Sequence, residues 1–155
     1  MKKILFVCHG NICRSPMAEY VMNFLVEKAG LTPQFLIASA ATSTEEIGNG
    51  VYPPVRRLLL AHGIDCSGHV ARQLKADDFS KFDLLIGMDH ANVGNMRRLC
   101  AGTAEKIHLL SEYTDHPGSE VADPWYTRDF EQTWQDVWQG CTGLLSAERK
   151  GDETA

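Results

Sequence analysis

The chain has 155 residues, which at about 150 per domain points to one domain with its own apolar core. Its 15 basic and 20 acidic residues leave a formal net charge of −5, the wrong sign for a nucleic-acid footprint. No stretch reaches the roughly 20 consecutive apolar residues of a membrane span. The apolar start also ends at His9-Gly10-Asn11 without a small-residue cleavage site. Five cysteines, an odd number in a chain able to build a core, read as free thiols of a reducing, cytoplasmic compartment.

Residues 4–7 form a continuous apolar run, expected of a strand buried on both faces. Residues 16–29 read as a helix, with Pro16 in the first turn and Gly30 at the stop. Ala18, Val21, Met22, Leu25 and Ala29 would share its buried face. A second strand is expected at 35–39 and a helix at 53–62, closed by Gly63. A third strand follows at 83–88, then a helix at 90–100 stopped at Gly102, and a fourth strand at 106–110. The span 112–128 is polar and carries Pro117, Gly118 and Pro124, which reads as a long loop. In 129–146 the apolar positions Phe130, Trp134, Val137, Cys141 and Leu144 keep a helical step. Asp129 suits the cap of that helix. The domain is expected over 1–149, with 150–155 as a frayed tail.

Strands alternating with helices imply parallel pairing and right-handed crossovers. The predicted fold is α/β, a small doubly wound three-layer sandwich with a central four-stranded parallel sheet. Ligands of such folds bind outside the carboxyl ends of the strands, so chemistry is expected in the turns after Val7, Met88 and Leu110.

The first of those turns reads Cys8-His9-Gly10-Asn11-Ile12-Cys13-Arg14-Ser15, between a buried strand and a helix start. Helix-start N–H groups have no partner of their own and attract anions. Gly10 and Asn11 tolerate a tightly wound loop, and the fork of Arg14 matches two phosphate oxygens. A thiolate at Cys8 would be stabilised by those N–H groups and by Arg14, and aimed at phosphorus. Ser15 would donate to the sulfur and help it leave. The spacing alone is weak: Cys66 and Arg72 repeat it, without a preceding strand and with Gln73 in place of the serine. That second copy reads as coincidence.

The first stretch resembles the signature of the low molecular weight protein tyrosine phosphatases, V-C-x-G-N-x-C-R-S-P, at every fixed position. Ser39-Ala40-Ala41-Thr42-Ser43, Gly68-His69-Val70-Ala71-Arg72-Gln73, Met88-Asp89 and Asp123-Pro124 resemble further family landmarks, in order along nearly the whole chain. The resemblance implies hydrolysis of aryl phosphate monoesters through a phosphocysteine, with a phosphate loop from Cys8 to Ser15. A leaving oxygen needs a general acid. The polar loop offers Asp115, Glu120 and Asp123, of which Asp123 is stiffened by Pro124 and walled by Trp125 and Tyr126. The resemblance assigns the role to Asp123, as acid and then as base. It also assigns Asn11, Ser39 and His69, with Ser15, to a hydrogen-bond network holding the loop. By itself His69 would pass for an ordinary satisfied histidine.

Cys13 shares the loop with Cys8, and the resemblance supports a protective disulfide between them under oxidation. The pocket walls are expected to be Ile12, Glu45, Trp125 and Tyr126. Family members directed at phosphoarginine tend to carry threonine where Ile12 stands, so Ile12 favours phosphotyrosine. Glu45 is a departure, because the family often carries an aromatic residue there; it could repel acidic phosphopeptides or recruit basic ones. Two rivals fit less well. An arsenate reductase needs relay cysteines after the third strand, where Cys100 stands alone. A catalytically dead phosphate reader would have lost Cys8, Arg14 or Asp123. The expected partners are a phosphotyrosine-bearing protein substrate and a phosphate or sulfate ion in the loop. No metal, cofactor, nucleic acid or membrane is expected, and the chain is read as a monomer.

Overall fold

The computed structural model describes residues 1–154, without the side chains of 101 and 150–154. The chain order is β1 Lys2–Cys8, α1 Arg14–Lys28, β2 Phe35–Ala41, α2 Pro53–Ala61, α3 Asp78–Lys81, β3 Leu84–Gly87, α4 His90–Leu99, β4 Ile107–Leu109, α5 Pro124–Thr127 and α6 Phe130–Thr154. The four strands are all parallel, in the order β2-β1-β3-β4. No helix among the described residues is long and apolar enough to cross a membrane.

β1 explains why the sheet is covered on both sides. Ile4, Leu5, Phe6 and Val7 are each 0% exposed. Successive side chains of a strand point to opposite faces. Ile4, Phe6 and Cys8 therefore join the cluster made with Met17, Val21 and Val26 of α1, Val55 and Leu59 of α2, and Trp134, Val137, Cys141 and Leu144 of α6. Leu5 and Val7 join the cluster made with Phe79 of α3 and Val93 and Met96 of α4. The result is the three-layer sandwich that the strand–helix alternation predicts.

The departures from expectation are local. In α1 the buried face is Met17, Ala18, Val21, Met22 and Val26, with Leu25 and Ala29 only half-buried. The helix starts at Arg14, so Pro16 lies inside its first turn, where a missing N–H costs nothing. The short helix α5 sits inside the span 112–128 that reads as a long loop, and α3 lies in a stretch to which the sequence assigns no element. α6 runs on to Thr154, past the expected end at 146. The expected tail at 150–155 falls on residues whose side chains lie outside the described set, and residue 155 lies outside it entirely.

The strand order sets the location of the site. From β1 the chain crosses to β2 on one side, and β3 then lies against the other edge of β1. The loops leaving β1 and β3 diverge, and a crevice opens between their carboxyl ends.

Candidate active site

The loop after β1 winds around the sulfur of Cys8. The Asn11 backbone N–H donates to Cys8 Sγ at 3.3 Å, and Ser15 Oγ lies 3.0 Å from the same sulfur. The left-handed residue of the turn is Asn11, with φ 59°, rather than Gly10. At Gly10 a Cβ would meet Cγ of Glu46 at 3.4 Å, an ordinary contact.

Asn11 and Ser15 are both fully buried behind the loop. The Asn11 amide donates one hydrogen to Ser15 Oγ at 2.8 Å and the other to Ser39 Oγ at 2.9 Å. Its Oδ1 accepts from the Arg72 backbone N–H at 3.2 Å, which fixes the orientation of the amide. Because Asn11 donates to Ser15, the single Ser15 hydroxyl hydrogen is free to point at the Cys8 sulfur. Ser39 in turn donates to Glu19 Oε1 at 2.6 Å. His69 Nε2 donates to the Asn11 carbonyl at 2.8 Å, while its Nδ1 lies 3.9 Å from Glu19 Oε1. Asn11, Ser15, Ser39 and His69, all expected from the sequence, are thus brought together behind the loop, with Glu19, which has no counterpart among the expected residues, tying two of them together. A glutamate among the polar positions of an amphipathic helix gives no signal of such a role.

Arg14 is buried and reaches across the crevice. Its Nη1 donates to Asp89 Oδ2 at 2.7 Å and to the Val121 carbonyl at 3.0 Å, and its Nη2 lies 3.5 Å from Asp123 Oδ2. Burial works against the Arg14 charge, but Cys8, Asp89 and Asp123 outweigh it and hold the guanidinium above its ordinary range. Asp89 is the second residue that sequence reading leaves without a role. Its Oδ1 caps α4 by accepting from Asn92 N–H at 2.8 Å, so one carboxylate fixes both a helix and the arginine.

The turn directly after β4 is a 3-10 turn, Leu110–Tyr113, and does not itself line the cleft. The loop beyond it returns to the sheet edge, where Val121 N–H donates to the Met88 carbonyl at 2.9 Å. That anchor delivers Asp123, whose Oδ1 caps α5 by accepting from Trp125 N–H at 3.0 Å. Its Oδ2 stays beside Arg14.

These residues line one cleft: Cys8, His9, Gly10, Ile12, Cys13, Arg14, Glu45, Glu46, Asp123, Trp125 and Tyr126. Trp125 and Tyr126 are 43% and 80% exposed, as walls of an open mouth would be. Glu45 Oε2 lies 3.1 Å from His9 Nε2 at the rim. Burial pushes the Cys13 thiol well up, with the neighbouring Cys8 and Asp123 adding to it, so Cys13 stays protonated beside its neighbour. The repeated spacing at 66–72 builds nothing comparable. Cys66 is buried in the core, and the Arg72 guanidinium is held by Asp78 at 3.0 and 3.1 Å. Asp129 is a cap, with Oδ1 accepting from Gln132 N–H at 3.0 Å.

A cysteine sulfur that meets a backbone N–H and a serine hydroxyl in the turn from a strand into a helix, with a buried arginine and a carboxylate lining the same cleft, defines a cysteine-dependent, phosphate-handling hydrolase on an α/β fold. The comparisons with known proteins agree. Residues 3–153 match the family model described as low molecular weight phosphotyrosine protein phosphatase. The Bacillus subtilis low molecular weight protein-tyrosine-phosphatase YfkJ is 38% identical over 152 residues, 97% of each chain. The human low molecular weight phosphotyrosine protein phosphatase is 40% identical over 152 residues, 93% of this chain and 94% of that one. The crystal structure of YfkJ superposes with a TM-score of 0.94 at 37% identity, covering 97% of this chain and 96% of that one. The chain belongs to the low molecular weight phosphotyrosine protein phosphatase family, whose members are cysteine-dependent hydrolases.

Proposed function

We propose that the protein dephosphorylates phosphotyrosine in protein substrates with Cys8 as nucleophile, Arg14 as phosphoryl clamp and Asp123 as general acid and then base. The observation that carries the assignment is the convergence on one sulfur. The Asn11 N–H and the Ser15 hydroxyl meet Cys8 Sγ at 3.3 and 3.0 Å, and Arg14 and Asp123 face it across the cleft.

In the first half-reaction the Cys8 thiolate attacks phosphorus. The S–P bond forms, the P–O bond to the aryl group breaks, and Asp123 gives its proton to the departing phenolic oxygen. Arg14 and the loop N–H groups hold the equatorial oxygens, where charge collects. In the second half-reaction Asp123 takes a proton from water as it attacks phosphorus. The S–P bond breaks, phosphate leaves, and the Ser15 hydrogen bond stabilises the released thiolate. Free phosphate or sulfate would occupy the same cradle.

The apolar Ile12 and the rings of Trp125 and Tyr126 suit a flat phenyl ring, which supports phosphotyrosine over phosphoarginine. Cys13, held as a thiol next to Cys8, is placed to trap an oxidised Cys8 as a disulfide before irreversible over-oxidation. All five cysteines are free, which fits a reducing cytoplasm.

The test is hydrolysis of p-nitrophenyl phosphate from about pH 4.5 to about pH 8, without metal, by wild type and Cys8→Ser. A bell-shaped profile abolished by the serine supports the assignment. Turnover that persists in Cys8→Ser, once contaminating phosphatase is excluded by active-site titration, overturns it.

A further inference from the structure

Tyr52 stands between the two halves of the site. Its backbone N–H donates to the Ile12 carbonyl of the phosphate loop at 2.9 Å. Its ring lies 4.8 Å from that of Trp125 and 6.2 Å from that of Phe130. Its hydroxyl accepts from Arg128 Nη1 at 2.6 Å. The Arg128 guanidinium also covers the rings of Tyr52 and Trp125, at 5.9 and 5.7 Å.

Arg128 ends α5 with φ 60°. A non-glycine residue keeps that left-handed conformation only when its surroundings hold it, and the side chain held here is the one that grips Tyr52. α5 is a four-residue turn that begins at the Asp123 cap. Its near end is fixed by the Val121 anchor to Met88, and its far end by Arg128. The position of the Asp123 carboxyl over the phosphate loop therefore depends on both ends. Proton transfer needs heavy-atom reach of about 2.6–3.2 Å, and a misplacement of about 1 Å costs on the order of a hundredfold.

We propose that Tyr52 and Arg128 form a latch that registers the Asp123-bearing turn against the phosphate loop, which makes both of them positioning residues for proton transfer to the leaving oxygen. The inference rests on the reading of Asp123 as general acid. The latch touches neither the phosphate nor the sulfur, so its loss affects substrates according to how much they need that proton.

The experiment compares kcat/KM for p-nitrophenyl phosphate, whose phenolate leaves readily, with that for phenyl phosphate, whose phenolate does not. The enzymes are wild type, Tyr52→Phe, Arg128→Gly, the double variant and Asp123→Asn. Tyr52→Phe keeps the ring and removes only the latch oxygen, while glycine at 128 accepts φ 60° without strain. The expected loss is about tenfold or more on phenyl phosphate and less than about threefold on p-nitrophenyl phosphate. The double variant should be no worse than Arg128→Gly, because the two side chains share one contact. Equal losses on both substrates, or none, in the latch variants while Asp123→Asn stays selective overturn the latch alone. Equal losses in Asp123→Asn overturn the acid assignment and the latch with it.

Discussion

The side-chain amide of Asn11 donates to the hydroxyl of Ser39 across 2.9 Å, joining the phosphate loop to β2 behind the site. The same amide also donates to Ser15 and accepts from Arg72, at a residue whose φ of 59° most side chains resist. Asn11→Ala loses three hydrogen bonds worth about 1 kcal/mol each, and alanine tolerates the left-handed conformation less well. The expected cost is about 3 kcal/mol in stability and at least about tenfold in kcat/KM, because the loop relaxes from its wound shape. Thermal unfolding measures the first effect and hydrolysis of p-nitrophenyl phosphate the second. A Tm within a degree or so of wild type would show that the loop does not depend on this amide.

Arg14 is the next element whose geometry forbids a conservative change. One of its nitrogens is committed to Asp89 and to the Val121 carbonyl, leaving the rest of the fork to face the cleft. A lysine ammonium is a single point and cannot hold Asp89, the carbonyl and a phosphoryl group in one plane. Arg14→Lys should lose on the order of a hundredfold or more in kcat, and phosphate should no longer raise the Tm. Asp89→Asn has one acceptor oxygen for the two donors that the carboxylate serves, Arg14 Nη1 and the Asn92 N–H, so it gives up either the arginine contact or the α4 cap; with Arg14 itself in place, it should still lose less kcat than Arg14→Lys. If Arg14→Lys retained nearly full kcat, the clamp role would have to move elsewhere.

Much of this arrangement is legible in the sequence, for reasons that differ by residue. The strand at 4–7, the loop from Cys8 and the helix after it are local, so spacing and end signals suffice. Asp123 shows only as one of three acids in a polar loop until the Asp-Pro landmark singles it out. The roles of Glu19, Asp89, Tyr52 and Arg128 are not legible, although Asp89 falls in a landmark of the resemblance. Each acts through a contact with a residue more than 15 positions away: Glu19 on Ser39, Asp89 on Arg14, and Arg128 on Tyr52. Local pattern carries no record of such partners, and Asp89 already has a sufficient local reading as the cap of α4.

Glu19 makes a pH prediction. Burial raises its carboxyl above the ordinary range, although the Ser39 hydrogen bond, His69 and Arg72 pull the other way. A carboxyl whose folded value is raised keeps its full stabilising contribution below the unfolded value of about 4.3. It loses that contribution as pH rises through the folded value. Glu19→Gln cannot titrate, and its Oε1 can still accept from Ser39. The variant should therefore gain on wild type in Tm as pH is raised from about 4 to about 7. A gap that stays constant across that range, or one that narrows, contradicts the burial argument.

At the rim, Glu45 and His9 are paired but well exposed, so their attraction is weak and screened. An arginine or lysine flanking phosphotyrosine can take the place of His9. Glu45→Gln should lower kcat/KM for peptides with basic flanks by about two- to fivefold, leave p-nitrophenyl phosphate unchanged, and reduce the dependence on salt. Equal effects on basic and acidic peptides would remove Glu45 from specificity.

In the middle of the long helix α6 stand Gly140 and Gly143, where helix propensity disfavours them. The turn Leu110–Tyr113 after β4 explains their presence. A Cβ on Gly140 would overlap the Leu110 side chain, and a Cβ on Gly143 would strike the Tyr113 carbonyl oxygen. The leucine can rotate away, but the carbonyl belongs to backbone that cannot yield without moving the turn. Gly143→Ala should therefore cost about 2 kcal/mol or more, despite the roughly 1 kcal/mol that alanine gains in an exposed helix. Gly140→Ala should cost less. The turn leads into the loop that delivers Asp123, so Gly143→Ala should also weaken phenyl phosphate turnover more than p-nitrophenyl phosphate turnover. Chemical denaturation of both variants decides the order. A stabilised Gly143→Ala would mean that α6 stands further from the turn than the close approach of Gly143 to Tyr113 indicates.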